Sequence, residues 1–212
     1  MDCCVIGIGT FGYNVCTTLM HHGVKVLAID RSLEVIESIQ EKVTHAICLK
    51  VFDEESLRVA DVQSVDAVVI AMGDNFQDSV MIAALLKRKF EIPMVVCRAA
   101  NSQHQEILEL IGVNYVVLPE QEAGIRLADK LSIRYRNFTR ITQNYSITYV
   151  KPTKKWIGKK IEDIGDLQDE SITILGKKSG ETIKKISPDY IIKNDDIIAL
   201  AGENSVLSEY IS

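Results

Sequence analysis

A glycine-rich motif near the amino terminus is the part of the chain best suited to bind phosphate groups. Residues 7–12 read Gly-Ile-Gly-Thr-Phe-Gly, between a strand-like and a helix-like segment. In this spacing Gly7 allows a tight turn, Gly9 lets backbone approach a pyrophosphate, and Gly12 lets the helix pack close to the strand. The helix N-terminus then offers N–H groups and a partial positive charge to the phosphates. The motif predicts a nucleotide-binding βα turn; a glycine-rich turn without a ligand is the alternative.

An acidic residue stands where the second strand of such a fold ends. Asp30 follows Gly12 by eighteen residues and closes the apolar segment 24–29. A carboxylate at this position binds the adenosine ribose hydroxyls and repels a 2′-phosphate. The sequence therefore favours NAD(H), ATP, ADP or AMP over NADP(H).

Two further charged residues follow predicted strands and are candidates for the same site. Asp53 lies after the third strand. Two roles are open for it: a position near the adenine edge of the ligand, or a simple helix cap. Arg98 ends the fifth strand and points toward the ligand crevice of this fold, where it contacts phosphate or forms a surface salt bridge. The residues expected to contact the cofactor are Gly7, Ile8, Gly9, Thr10, Phe11, Gly12, Asp30, Arg31, Asp53, Gly73 and Arg98.

The sequence offers little for catalysis beyond binding. A hydride-transfer enzyme needs a proton donor beside its substrate, yet all four histidines precede residue 105. The lysines of the second half cluster at 151–160, a pattern typical of a solvated surface. No Ser/His/Asp grouping, Walker lysine or metal-ligand spacing stands out, so the chain is expected not to be an enzyme. A small NAD-dependent oxidoreductase is the alternative.

The elements that must position these residues alternate between strand and helix patterns. Six short apolar segments predict strands buried on both faces of a parallel sheet: 3–8, 24–29, 45–49, 67–72, 94–97 and 115–118. Helical patterns lie between them at 11–22, 32–43, 54–61, 75–90 and 102–111. Ser32 and a Ser102–Gln105 capping box predict helix starts, and Gly23 and Gly112 predict helix ends. The order predicts a Rossmann-like, doubly wound α/β domain.

The pattern changes after Pro119. A long helix is predicted at 120–137, followed by short strands at 145–150, 171–175, 182–186 and 196–201 and a closing helix at 203–210. The predicted organisation is a nucleotide-binding domain at 1–119, a crossover helix at 120–138 and a small α+β domain at 139–212. A unit of this size has a marginal core, so dimerisation is expected.

Charge, hydropathy and cysteine content narrow the class of protein. The chain has a net charge of -5, and residues 139–212 carry no net charge. A chain with this charge has no general attraction to nucleic acid. No stretch approaches the length of a membrane-spanning helix, and the first residues lack the pattern of a secretory signal. Five cysteines without metal-ligand spacing predict reduced, mostly buried thiols. An intracellular, soluble protein is expected.

Over nearly its whole length the chain resembles the cytosolic regulatory subunits of Ktr/Trk-type potassium uptake systems. The similarity rests on IGIGTFGYNVCTTL, VLAID at 26–30, THAICLKVFDEESL at 44–57 and VVIAMGDNFQDS at 68–79. It continues through IGVNYVVLPEQEAG at 111–124 and ISPDYIIKNDDIIALAG at 186–202. Such subunits consist of an RCK N-domain, here residues 1–119, and an RCK C-domain, here residues 139–212. One such unit is present, so the resemblance favours the Ktr type over the duplicated Trk type.

The resemblance implies a function and a set of partners. Similar subunits bind ATP or ADP, or NAD(H) in the Trk type, dimerise through the crossover helix and assemble into eight-subunit rings. The ring docks on a membrane-embedded potassium-translocating subunit and controls it, which implies a cytoplasmic location on the inner face of the membrane. An RCK-type sensor serving a different cation transporter is the alternative.

The chain also departs from the family pattern. Thr10 stands where relatives often carry an arginine that reaches phosphate, which puts strong ATP-over-ADP discrimination in doubt. Glu120 matches a position that binds a divalent or sodium ion in related proteins, although a single carboxylate is more often just a helix-start charge. Related C-domains hold cyclic di-AMP; here Ile157, Ile161, Ile164 and Pro188 are the candidates, or ordinary core residues. Leu167 lies near the place of an expected basic residue.

Overall fold

The computed structural model describes residues 1–73, 75–131, 138–142, 144–167 and 171–210. The chain forms two compact units, Met1–Ala123 and Gly124–Ser212. Their boundary lies inside the helix that the sequence predicted to connect two domains. Of that helix, residues 132–137 lie outside the described part of the chain.

The first unit contains a six-stranded parallel sheet. Its strands are β1 (Asp2–Ile6), β2 (Lys25–Asp30), β3 (His45–Cys48), β4 (Ala67–Ile70), β5 (Met94–Arg98) and β6 (Tyr115–Val117). They are ordered β3-β2-β1-β4-β5-β6, which is the doubly wound nucleotide-binding order. The order reverses between β1 and β4, so a crevice opens where their carboxyl ends diverge. This sheet confirms the predicted α/β fold.

Both faces of the sheet are covered, which explains its continuous apolar strands. In β1, Cys4 and Ile6 pack into one hydrophobic core, and Cys3 and Val5 pack into the core on the opposite face. Successive side chains of a strand point to opposite faces, so a strand between two cores must be apolar throughout.

Five helices of this unit lie between its strands. They are α1 (Thr10–His21), α2 (Leu33–Ile39), α3 (Glu54–Val59), α4 (Phe76–Arg88) and α5 (Ser102–Ile111). The Ser32 side chain caps α2 as predicted, and Gly112 ends α5 in a left-handed conformation with φ of 96°. The predicted Ser102–Gln105 capping box is wrong. Asn101 caps α5 by accepting a hydrogen bond from the His104 N–H, because its backbone is still extended while Ser102 is already helical.

The second unit contains a five-stranded antiparallel sheet, β10-β9-β11-β8-β7. It follows α6 (Pro119–Leu131), and its strands are β7 (Phe138–Arg140), β8 (Tyr145–Val150), β9 (Ile172–Ser179), β10 (Thr182–Lys184) and β11 (Ile198–Glu203). A short helix, α7 (Asn204–Leu207), closes the unit. β7 is absent from the sequence prediction, because its three residues carry no apolar alternation. The core of the unit surrounds Trp156, Ile192 and Leu200.

The helices of the described residues are short or polar. None of them has both the length and the apolar character that crossing a bilayer requires.

Candidate functional site

A cavity of about 320 Å³ opens at the carboxyl edge of the parallel sheet. It lies at the reversal of strand order, where the β1–α1 turn faces the ends of β2 and β4. Its volume is in the range of small-ligand pockets. The lining residues are Ile6, Gly7, Ile8, Gly9, Ile29, Asp30, Arg31, Ser32, Val35, Leu49, Lys50, Val51, Ala71, Met72, Gly73, Asn75, Asp78 and Arg98.

The three motif glycines have separate structural roles. Gly7 adopts φ of 92°, a conformation that favours glycine, and an added Cβ there would lie 2.8 Å from the Met72 side chain. A Cβ on Gly12 would lie 2.0 Å from the carbonyl oxygen of Gly7, which confirms its predicted role in close helix–strand packing. No atom lies within 4 Å of a Cβ built on Gly9. The space above Gly9 is therefore open for a ligand.

The helix that begins at the motif differs at its N-terminus from the helices that follow. Gly9 is the N-cap of α1, provides no side-chain cap, and no acidic residue occupies the first turn. In each of the next four helices, the side chain of the N-cap residue accepts a hydrogen bond from a backbone N–H. These N-cap residues are Ser32 in α2, Asp53 in α3, Asn75 in α4 and Asn101 in α5. The first N–H groups of α1 thus keep their capacity to donate to an anion.

Asp30 has a role that the sequence did not predict. One carboxylate oxygen, Oδ2, accepts a hydrogen bond from the Ile8 N–H at 2.7 Å, and Oδ1 accepts one from the Ser32 N–H at 2.9 Å. The side chain lines the cavity as expected. It therefore holds the glycine-rich turn beside β2 in addition to facing the ligand space.

Arg98 forms a salt bridge, which is one of the two roles that the sequence left open, and it also lies at the cavity. Its side chain lines the cavity, and its Nη2 donates to Oε1 of Glu120 at the start of α6. The guanidinium lies against Gly73, where an added Cβ would fall 2.1 Å from Nη1. The Nε atom is buried and has no hydrogen-bond partner among the described residues.

The predicted site residues divide into those that line the cavity and those that do not. Gly7, Ile8, Gly9, Asp30, Arg31, Gly73 and Arg98 line it; Thr10, Phe11 and Gly12 form the first turn of α1 behind it. Asp53 lies outside the lining and caps α3 in a capping box with Ser56, at 2.9 Å between Asp53 Oδ1 and Ser56 N. The structure thus gives Asp53 the helix-cap role.

Two charged lining residues were missed by the sequence analysis. Lys50 follows the carboxyl end of β3, and Asp78 lies in the first turn of α4 after β4. Both follow strand ends at the edge where ligands bind in this fold. After these two strands only Asp53 and Gly73 were predicted, so the strand-end rule is the signal that could have found Lys50 and Asp78 as well.

The residues predicted for an ion site and for a cyclic di-AMP site are not among those that line the cavity. Glu120 pairs with Arg98, and no group of three or more metal-ligating side chains occurs within the described residues. In the second unit Ile161 and Ile164 are buried in the core, as is Leu167, while Ile157 and Pro188 are exposed.

Residues 3–119 match the TrkA-N domain. Over 208 residues the chain is 30% identical to the Ktr system potassium uptake protein A of Bacillus subtilis, covering 97% of this chain and 93% of that protein. It is 28% identical over 206 residues to the protein of the same name from Vibrio alginolyticus, covering 96% and 93% respectively.

Solved structures share the fold. The GsuK RCK domain aligns with all of this chain and 47% of its own, with a TM-score of 0.62 and 15% identity. The NAD(P)-binding domain of an exopolyphosphatase-related protein from Archaeoglobus fulgidus aligns with 61% of this chain and 96% of its own. Its TM-score is 0.51 and its identity 27%.

Proposed function

The chain belongs to the TrkA-N domain family and to its Ktr potassium uptake proteins, and on this premise we propose that it is a nucleotide-sensing regulatory subunit of a potassium uptake system. The observation that carries the proposal is the cavity where Gly7, Gly9 and Asp30 converge at the strand-order reversal. This is the place and the chemistry that an adenine nucleotide needs in such a sheet.

The proposed ligand is ATP or ADP, with NAD(H) as the second choice. The uncapped start of α1 offers N–H groups to phosphates, and Arg31, Lys50 and Arg98 supply positive charge. The Asp30 carboxylate disfavours a 2′-phosphate, so NADP(H) is excluded from the proposal. Thr10 lies at the start of α1 and has no charge with which to select a third phosphate.

The proposed role is binding without chemical conversion. Among the described residues, the polar side chains that line the cavity are carboxylates, cations, one hydroxyl and one amide. They suit recognition of ribose and phosphate. A hydride-transfer enzyme would in addition need a positioned proton donor for a second substrate.

The proposed partners are further copies of this chain and a membrane-embedded potassium-translocating subunit. The helix α6 buries none of its residues, and it exposes Ile125, Leu127 and Leu131. Leu127 and Leu131 are four residues apart and therefore share one face of the helix, which suits helix pairing in a homodimer, the building block of an octameric ring. The chain would then act at the inner face of the membrane through its partner.

The proposed mechanism is a shift between two ring shapes. A nucleotide that binds one shape more tightly populates that shape, and it can shift the equilibrium only by its differential affinity. Near-complete switching needs about 5.5 kcal/mol, which the coupled sites of a ring can share.

A second ligand, cyclic di-AMP, is proposed for the second unit on the resemblance alone. Of the four candidate residues, Ile157 and Pro188 have the exposure that contact requires. Pro188→Asp should abolish cyclic di-AMP binding in a calorimetric titration. Unchanged binding would reject this site.

The first experiment is a calorimetric titration of the purified chain with ATP, ADP, NADH and NADPH. We expect saturable binding of ATP or ADP and none of NADPH. Gly9→Ala should weaken that binding, because the new methyl group occupies the open space above the turn. Gly124→Ala is the matched control, since Gly124 in α6 also has open space around it and lies outside the cavity.

A second experiment measures function with the potassium-translocating subunit. Potassium flux into vesicles that carry both proteins should change when ATP replaces ADP, and Gly9→Ala should abolish the difference. Equal flux with and without nucleotide, or binding of none of the four ligands, would contradict the proposal. NADH consumption with an organic substrate would instead support an oxidoreductase.

A further inference from the structure

Arg98 is held between the cavity and the start of α6. Its guanidinium lines the cavity beside Gly73, and its Nη2 donates to the Glu120 carboxylate. Glu120 itself is not among the lining residues, and its side chain is 63% exposed, against 23% for Arg98. The cation therefore faces the ligand space while its counter-ion stands outside it.

The hydrogen bonding of Arg98 is incomplete in this arrangement. Nε is buried without a partner among the described residues. A buried donor without a hydrogen-bond partner destabilises the arrangement that leaves it so. A guanidinium presents its donors in a planar fork that suits the oxygens of a phosphate. The group is thus poised to exchange one carboxylate contact for a fuller set of anion contacts.

The charge of the cavity depends on which partner Arg98 has. Among the residues that the structure describes, three cationic side chains and two carboxylates line it, the carboxylates being those of Asp30 and Asp78. The excess is one positive charge, and Glu120 neutralises that excess when it pairs with Arg98. Attraction of a phosphate into the cavity is therefore weakest while this pair is intact.

We propose that Glu120 competes with the phosphates of the bound nucleotide for Arg98, so that ligand binding releases the carboxylate at the start of α6. This inference rests on the proposed function, because it assumes that the cavity binds a phosphorylated ligand. Glu120 sets how tightly phosphates bind, and Arg98 transmits occupancy of the cavity to the first turn of α6. Linkage makes the coupling reciprocal: whatever holds Glu120 away from Arg98 tightens nucleotide binding.

The test is a calorimetric titration of Glu120→Gln with ADP, AMP and adenosine in Mg²⁺-free buffer. Loss of the competing charge should raise ADP affinity about five-fold, the ratio that corresponds to an ion pair worth about 1 kcal/mol. The gain should be smaller for AMP and absent for adenosine, because the competition is for phosphate. Without Mg²⁺, no divalent ion can bridge a carboxylate to the ligand.

Two further variants separate this effect from general electrostatics. Glu122→Gln removes the same charge from the same exposed helical turn without an ion pair to Arg98, so it should leave ADP affinity within about two-fold of the parent. Arg98→Gln should weaken ADP binding. Adding Glu120→Gln to Arg98→Gln should then produce no gain, since nothing remains to compete for.

The outcomes are distinct from those that test the proposed function. If the parent chain binds none of these nucleotides, the proposed function fails. If the parent binds ADP and Glu120→Gln leaves the affinity unchanged or lowers it, the competition is wrong while the nucleotide site stands. An equal gain for adenosine, or an equal gain from Glu122→Gln, would also overturn it.

Discussion

The carboxylate of Asp30 accepts a hydrogen bond from the backbone N–H of Ile8, with 2.7 Å between Oδ2 and N. Ile8 lies between the first two glycines of the glycine-rich motif, and Asp30 ends the neighbouring strand β2. The acidic residue that the sequence assigned to ribose binding therefore also fixes the turn that would receive the phosphates. Substitutions at Asp30 must be interpreted with both roles in mind.

Asp30→Asn is expected to destabilise the first unit and to impair nucleotide binding. An amide cannot accept charge-assisted bonds from both the Ile8 and Ser32 N–H groups, so the free energy of unfolding should fall by about 1–3 kcal/mol. Urea unfolding followed by far-ultraviolet circular dichroism reports on this unit, because α1–α5 all lie in it.

The control for Asp30→Asn is Asp66→Asn. Asp66 accepts one backbone bond, from the Asp2 N–H at 2.8 Å, but in an exposed setting away from the cavity. Its substitution should change the unfolding free energy by less than about 0.5 kcal/mol. Equal effects of the two substitutions would argue against a special role for the Asp30 bonds.

Gly12→Ala is expected to disrupt the packing of α1 against β1. The new methyl carbon would lie 2.0 Å from the Gly7 carbonyl oxygen, a backbone atom that cannot move without displacing the turn. We expect a loss of at least about 1–3 kcal/mol in unfolding free energy. Gly9→Ala, with open space at the same turn, should leave unfolding nearly unchanged while it weakens nucleotide binding. A destabilisation as large from Gly9→Ala would contradict this division of roles.

The second unit should lose stability in acid through Asp196. Burial acts to raise the pKa of Asp196, but hydrogen bonds from the Lys193 N–H, Lys177 and Tyr190 outweigh it and lower that pKa. Because the folded pKa lies below the unfolded one, this contribution is complete above pH of about 4 and disappears as pH falls below it. The fluorescence of Trp156, the single tryptophan and buried in this core, reports unfolding of the unit.

Asp196→Asn should lower the stability of the second unit near neutral pH and flatten its decline in acid. Hydrogen bonds to Tyr190 and to Asp196 raise the pKa of Lys177 to about 12, so the contribution of the Lys177–Asp196 pair persists throughout the neutral range. Asp195→Asn, which removes the exposed neighbouring charge, should leave the acid profile as it is. An unchanged profile in Asp196→Asn would show that other groups control acid unfolding.

One cysteine of five should react with a thiol reagent in the folded chain. Burial raises the pKa of Cys3 to about 11 and that of Cys16 and Cys97 to about 12, and it also raises that of Cys4. Cys48 is exposed and free. Titration with a chromogenic disulfide at pH 8 should release about one equivalent, since the thiolate is the nucleophile and must be accessible. Cys48→Ser should abolish this reaction. After unfolding, the parent chain should release five equivalents and the variant four.

The sequence predicts the first and last residues of most strands in the first unit to within a few positions. A strand buried on both faces must be apolar throughout, so 67–72 revealed β4 and 94–97 revealed β5 without reference to any partner. The three glycines of the motif meet three local requirements: a tight turn, a close approach of backbone to a ligand, and close packing of the helix on the strand. The membership of Lys50 and Asp78 in the cavity was missed because it depends on which strand ends meet at one edge.

The sequence by itself determined the order of the strands and helices of the first unit, the glycine-rich turn and the acid at the end of β2, because propensity and periodicity act over a few residues. Tertiary structure alone decided that Arg98 pairs with Glu120, that Asp30 holds Ile8, and that β7 joins β8 in the second sheet. These contacts join residues from different elements. They form only after packing has placed those elements side by side, and no local pattern in the chain encodes that placement.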